Sequence, residues 1–316
     1  MSKLVMFEAA IALLREHSEP WFISHEYTDA DDLGAMLALA EAARKHNITP
    51  LLVARGGVDR RLRFLPGSSA VTDTLPKTLP GLIVFFGCGK LERNGFESLP
   101  IAKIQSINID HHKDNPSYGT VNLVDPDASS TSEIVYHLIL RMQVGITKTI
   151  ATNLLAGIAS DTGGFRHANT TAEVLALCAE LIRRGARIDR ITEHLFGGSD
   201  YAKMRAWAKA FENARFDPDH QIIYSLVTEA ELAEIGASPD DLDGAAEMLN
   251  TVPEAKFAML LKERDGEVRG SLRSDLYKGV DVSEVARAFG GGGHTLAAGF
   301  KFKGKIEQTK NGWKIT

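Results

Sequence analysis

Four short runs constrain the fold of this chain most tightly: WFIS at 21–24, LLVA at 51–54, LIVFF at 82–86 and IQSINI at 104–109. The first three are continuously apolar rather than alternating, the pattern of strands covered on both faces. DLGAMLALAEAARKH, between the first two, carries apolar residues at helical period. Strands that alternate with helices read as parallel βα units. The expected fold class is therefore α/β, a doubly wound, mostly parallel sheet.

Further helices are expected in STSEIVYHLILRM, KTIATNLLAGIAS and TAEVLALCAELIRRG, the last closed by Gly185. With 316 residues the chain is long enough for two domains, each with its own core. The first is expected over residues 1–197, a connecting helix over 198–215, and a smaller α+β domain over 216–316. In that last stretch HQIIYSLVT, KFAMLLKER, EVRGSLRS and LAAGFKFK read as strands. The N-terminus has helical spacing interrupted by Glu8, Arg15 and Glu16, which predicts an amphipathic helix rather than a signal peptide. No apolar run is long enough to predict a membrane span.

A formal net charge of −5 argues against binding long duplexes, which draws on a broad basic surface. A small anionic substrate in a local pocket remains open. Two cysteines, Cys88 and Cys178, are too few for a disulfide framework or a thiolate zinc site, so the cytoplasm is the expected compartment. A homodimer is compatible with the sequence, although no motif specifies one.

Four clusters carry chemistry. In SHEYTDADDLG an apolar strand runs into His25, Asp29, Asp31 and Asp32. Open parallel sheets bind ligands just beyond the carboxyl ends of their strands, and carboxylates with imidazole suit a divalent cation. A helix cap by Asp29 or Asp31 is the competing reading. In INIDHHKDN a second strand ends in Asp110, His111 and His112, where a carboxylate can orient one imidazole while another nitrogen meets metal or phosphate. SDTGGFR offers Asp161 and Arg166 around glycines, a carboxylate for metal and a guanidinium for phosphate, and is otherwise a glycine turn after a helix. The last cluster holds Arg273, Ser274, the run Gly290, Gly291, Gly292, Gly293, and His294, which reads as an anion-binding loop of exposed amides or, less specifically, a linker.

DHH at Asp110 to His112, preceded by SHEYTDADDLG and followed by SDTGGFR and GGGGH, resembles the DHH/DHHA1 phosphoesterases, in family order from about Pro20 to Phe302. The arrangement is most similar to the branch of oligoribonucleases and 3'-phosphoadenosine-5'-phosphate phosphatases. The resemblance implies two manganese ions in a cleft between the domains. His25 and Asp29 would match ligands of one ion, Asp31 and His111 those of the other, and Asp161 a further ligand. It implies Asp110 and His112 as the catalytic pair, Asp110 orienting and His112 contacting phosphate or assisting proton transfer. Arg166, Arg273, Ser274, the glycines 290–293 and His294 would hold the substrate, a short oligonucleotide or small nucleotide phosphate.

One position departs. The family places a metal-bridging aspartate where LIVFFGCGK has Gly87. An impaired site, and with it a nucleotide-binding or regulatory protein, is the alternative this raises. Asp32, an extra carboxylate near the same strand ends, could compensate or could only cap its helix, and Cys88 is a softer candidate.

Overall fold

The computed structural model describes residues 3–96, 99–197, 201–309 and 312–316. The chain divides into two compact units, 1–198 and 199–316.

In the first unit the chain runs through α1 (Lys3–Arg15), β1 (Trp21–Ser24), α2 (Ala30–Arg44), β2 (Leu51–Val53), β3 (Leu82–Phe86), β4 (Gln105–Asp110) and β5 (Val121–Val124). It continues through α3 (Thr131–Arg141), α4 (Lys148–Asp161), α5 (Ala172–Arg183) and α6 (Ile188–Phe196). The five strands form one parallel sheet in the order β2-β1-β3-β4-β5. β3 is buried along its whole length, because Leu82, Val84 and Phe86 join the core with α2 and α4 on one face while Ile83 and Phe85 fill a second cluster on the other. Truncating one such phenylalanine to alanine would cost about 3–5 kcal/mol. α2 itself is buried on nearly every side and presses against α4 at Gly34, where an added Cβ would lie 2.4 Å from the Asn153 carbonyl oxygen.

The strand order reverses between β1 and β3, which leave their neighbours in opposite directions. A crevice opens at such a point beyond the carboxyl ends of the strands. β1 runs there into His25, β3 into Gly87 and β4 into His111.

The second unit begins with α7 (Tyr201–Glu212), followed by β6 (Arg215–Asp217), β7 (Ile222–Val227), α8 (Glu229–Glu234), α9 (Ala245–Leu249), β8 (Phe257–Arg264) and β9 (Glu267–Arg273). It ends with α10 (Val282–Ala288), β10 (Gly292–His294), β11 (Ala297–Lys303), β12 (Ile306–Thr309) and β13 (Gly312–Ile315). Six strands form a mixed sheet, β10-β11-β9-β8-β7-β6, and β12 pairs with β13. α7, expected as a connector, is built into this unit, with Ala206 and Ala210 fully buried beside Ala258 and Leu260. On β9, Val268, Gly270 and Leu272 face the core while Arg269, Ser271 and Arg273 alternate to the other side.

No helix among the described residues is long and apolar enough to cross a membrane. Cys88 and Cys178 are both buried and free.

Candidate metal centre

Asp29 is the N-cap of α2, its Oδ1 accepting the backbone N–H groups of Asp31 and Asp32 at 3.0 Å each. Capping and ligation are not exclusive here, because the second oxygen, Oδ2, lies 3.5 Å from His25 Nε2. His25 Nε2 also meets Asp32 Oδ2 at 3.0 Å, and its Nδ1 lies 2.7 Å from the Glu26 carbonyl oxygen, which orients the ring. His25, Asp29 and Asp32 bring their donor atoms within 4.8 Å of one another. Asp31, His111 and Asp161 do the same in a second group, in which His111 Nε2 is 3.0 Å from Asp161 Oδ2.

Asp31 reaches its place through α3. Its Oδ2 accepts the Thr131 N–H at 2.7 Å and its Oδ1 the Ser132 N–H at 2.9 Å, so the carboxylate sits on the helix N-terminus. Gly157 makes room for this, since a Cβ there would lie 2.0 Å from Ser132 Oγ and 2.8 Å from Asp31 Oδ1.

The electrostatics fit a cation in each group. Burial pushes the Asp31 carboxyl well above its ordinary range, and the nearby charges of Asp161 and Asp32 push it further. Asp161 is raised by burial against the opposing pull of His111, with Asp29 adding to the rise. Burial disfavours the charged ring of His25, but Asp29 and Asp32 outweigh it and hold its pKa up at about 10. His111 is raised in the same way, chiefly by Asp161 against its burial. Four carboxylates this close repel one another unless protons or cations stand between them.

A pH dependence follows with a definite sign. The folded pKa of His25, about 10, lies above the ordinary 6.5. In the metal-free protein its charged ring therefore contributes stability in full below 6.5, and the contribution is lost as pH rises through about 10. Ligation needs the neutral ring, so metal binding near pH 7 is expected to release about one proton per histidine ligand and to tighten as pH rises. Calorimetric titration in buffers of different ionisation enthalpy measures this; no net proton release would contradict the assignment.

Asp110 is fully buried and its Oδ1 accepts the N–H groups of His111 at 2.8 Å and His112 at 3.2 Å. The same oxygen is 2.6 Å from His112 Nδ1, and Oδ2 accepts from Asn115 Nδ2 at 2.5 Å. The His112 hydrogen bond, acting against burial, holds the Asp110 carboxyl below its usual range. Arg166 is exposed, with Nε donating to the Gly163 carbonyl oxygen at 2.7 Å.

In the second unit, Arg273 Nε is 2.7 Å from Glu247 Oε1 beside a cavity of about 320 Å³ also lined by Lys262 and Ser271. Ser274 Oγ donates to the Lys256 carbonyl oxygen, and His294 lies exposed on β10. The glycine run differs from the expected loop of exposed amides. The Gly290 and Gly291 N–H groups close the end of α10 on Arg287 and Ala286, and Gly292 to His294 pair with β11 as an edge strand. Close approach of the strands explains two of these glycines: a Cβ at Gly291 would lie 2.1 Å from the Gly299 carbonyl oxygen, and one at Gly293 would lie 2.6 Å from that of Ala297.

Residues 21–158 match the DHH family, N-terminal domain, and residues 219–311 match the DHHA1 domain. The chain is 32% identical over 285 residues to the bifunctional oligoribonuclease and PAP phosphatase NrnA of Thermus thermophilus, covering 90% of this chain and 84% of that protein. The chain belongs to the DHH/DHHA1 family. The fold of this family member is shared with an exopolyphosphatase-related protein from Bacteroides fragilis, at a TM-score of 0.87 and 23% identity over 95% of this chain and 91% of the other. It is also shared with RecJ in complex with Mn2+ from Thermus thermophilus, at a TM-score of 0.53 and 16% identity over 93% of this chain and 52% of RecJ.

The sequence leaves Asp32 open between a compensating ligand and a helix cap, and the structure brings it into the first donor group. The signal was present in TDADDLG, but a carboxylate in a first helical turn is so often only electrostatic that the sequence could not rank it.

Proposed function

We propose that this DHH/DHHA1 protein is a manganese-dependent phosphoesterase acting on short oligonucleotides or small nucleotide phosphates such as 3'-phosphoadenosine-5'-phosphate. The observation that carries the reading is the pair of imidazole and carboxylate groups beyond the ends of β1 and β4, on either side of β3, in a chain similar over 90% of its length to an oligoribonuclease and PAP phosphatase. Carboxylate oxygens and neutral imidazole together suit manganese. His25, Asp29 and Asp32 would hold one ion; Asp31, His111 and Asp161 would hold the other. Bound there, the ions would supply charge neutralisation at the phosphoryl group and activation of water.

The protein's own residues do the rest. Asp110 fixes the His112 ring through Nδ1, which makes Nε2 the atom through which it can contact phosphate or hand over a proton. Arg166 would pair with phosphate, and Arg273 and His294 would bind the remainder of the nucleotide. The net negative charge of the chain favours substrates short enough to be held locally rather than along a basic groove.

The test is a panel of dinucleotides, longer single strands, duplexes, 3'-phosphoadenosine-5'-phosphate and polyphosphate, each with manganese, magnesium or chelator. Manganese-dependent release of mononucleotide or phosphate from the short substrates is the expected result. Nucleotide binding with no turnover on any of them would overturn the reading.

A further inference from the structure

We infer that Asp32 is the carboxylate shared by the two cation sites, and that Gly87 is a glycine because this carboxylate stands where a side chain from β3 would begin. The inference rests on the two-cation reading above. An ideal Cβ at Gly87 would lie 1.9 and 2.0 Å from the two Asp32 carboxylate oxygens and 2.1 Å from Cγ, so the two side chains cannot coexist in these positions.

The sheet order gives this overlap its meaning. β3 lies between β1 and β4, so Gly87 is flanked by His25 of the first donor group and His111 of the second. A carboxylate over Gly87 therefore stands over the strand that separates the two imidazoles. Asp32 is buried and already 3.0 Å from His25 Nε2, while its chain neighbour Asp31 belongs to the other group. Nothing from position 88 competes, because Cys88 packs with Trp21, Ile23 and Phe85 in the cluster on the opposite face of the sheet from α2.

The same geometry sets the outcome of restoring a side chain on β3. Gly87→Asp alone forces the two carboxylates into one volume, and is expected to weaken manganese binding rather than tighten it. The exchange Asp32→Ala with Gly87→Asp removes the overlap. Its backbone is tolerable, since φ at Gly87 is +58° and aspartate is among the residues that enter this region.

The experiment measures manganese stoichiometry by calorimetry and magnetic coupling between the ions by electron paramagnetic resonance, on the full chain, with circular dichroism as a control. The unmodified protein is expected to bind two coupled ions. Asp32→Asn, which preserves volume, should lose the coupled signal and weaken at least one site tenfold or more, and the double exchange should recover coupling that neither single variant shows. If Asp32→Asn binds two coupled ions as tightly as the unmodified protein, or Gly87→Asp alone tightens binding, Asp32 is not the shared ligand. If the unmodified protein binds no manganese, the phosphoesterase reading fails before this one.

Discussion

Alanine at His111 is expected to abolish metal-dependent phosphoester hydrolysis and leave the fold intact, whereas alanine at Asp31 should abolish hydrolysis and also destabilise the protein. Both side chains belong to the second donor group. Losing either ligand should lower kcat/KM by about 10³-fold or more, on the order of 4 kcal/mol of transition-state stabilisation. The two differ in what else they hold. His111 pairs with Asp161 where both side chains keep some exposure, so water can re-solvate the carboxylate once the ring is gone, a smaller loss than orphaning enclosed amides. Asp31 accepts the N–H groups of Thr131 and Ser132 at 2.7 and 2.9 Å, both fully enclosed, and alanine would leave these amides without an acceptor. Each buried amide so orphaned costs about 1–3 kcal/mol. Relief of repulsion from Asp161 and Asp32 returns part of that, so a net loss of about 2 kcal/mol is expected. Urea unfolding in chelator, alongside turnover in saturating manganese, separates the two variants. Equal stability for both, or near-normal turnover in either, would remove this assignment of roles.

The division between what was legible in the sequence and what was not follows the range of the interactions. β1 and β3 were legible because both faces of each are covered, which leaves a run of apolar residues in the chain itself. The first and second donor clusters were legible because each follows a strand directly, and a strand end in such a sheet is where a crevice forms. β5 left a weaker trace: only Leu123 of its four residues is buried. β10 is three residues of GGH whose pairing with β11 has no periodicity to read, so in the sequence it reads as a loop. The hold of α3 on Asp31 joins residues 100 positions apart, and the meeting of Asp32 with Gly87 joins the first turn of α2 to the end of β3. No local pattern encodes either contact. The departure at Gly87 was visible in LIVFFGCGK, yet its consequence was not, since a missing ligand and a displaced one look alike until the neighbouring carboxylate is placed.

Asp110→Asn is expected to lower turnover by about 10²- to 10⁴-fold through His112, the scale of a general acid or base that has lost its orientation. The Asp110 carboxylate accepts from two backbone N–H groups and the His112 ring at Oδ1 and from Asn115 at Oδ2. An amide of the same shape must turn its own N–H₂ toward one of these donors. Asn115 cannot turn over to accept it without loss, because its Oδ1 already accepts from Asn108 Nδ2 at 2.9 Å and from the Ser117 N–H at 2.8 Å. The conflict is enclosed, so Asp110→Asn should also lose about 1–3 kcal/mol of stability, which His112→Ala, at a partly exposed ring, should not. The activity effects should be strongly non-additive. If Asp110 acts on the reaction by holding His112, the double variant will turn over no more slowly than His112→Ala alone, because there is no longer a ring to orient. Steady-state kinetics of the two single variants and the double variant, with manganese stoichiometry measured for each, decide the point. A double variant slower than His112→Ala by the full factor seen for Asp110→Asn would mean that Asp110 acts independently of His112.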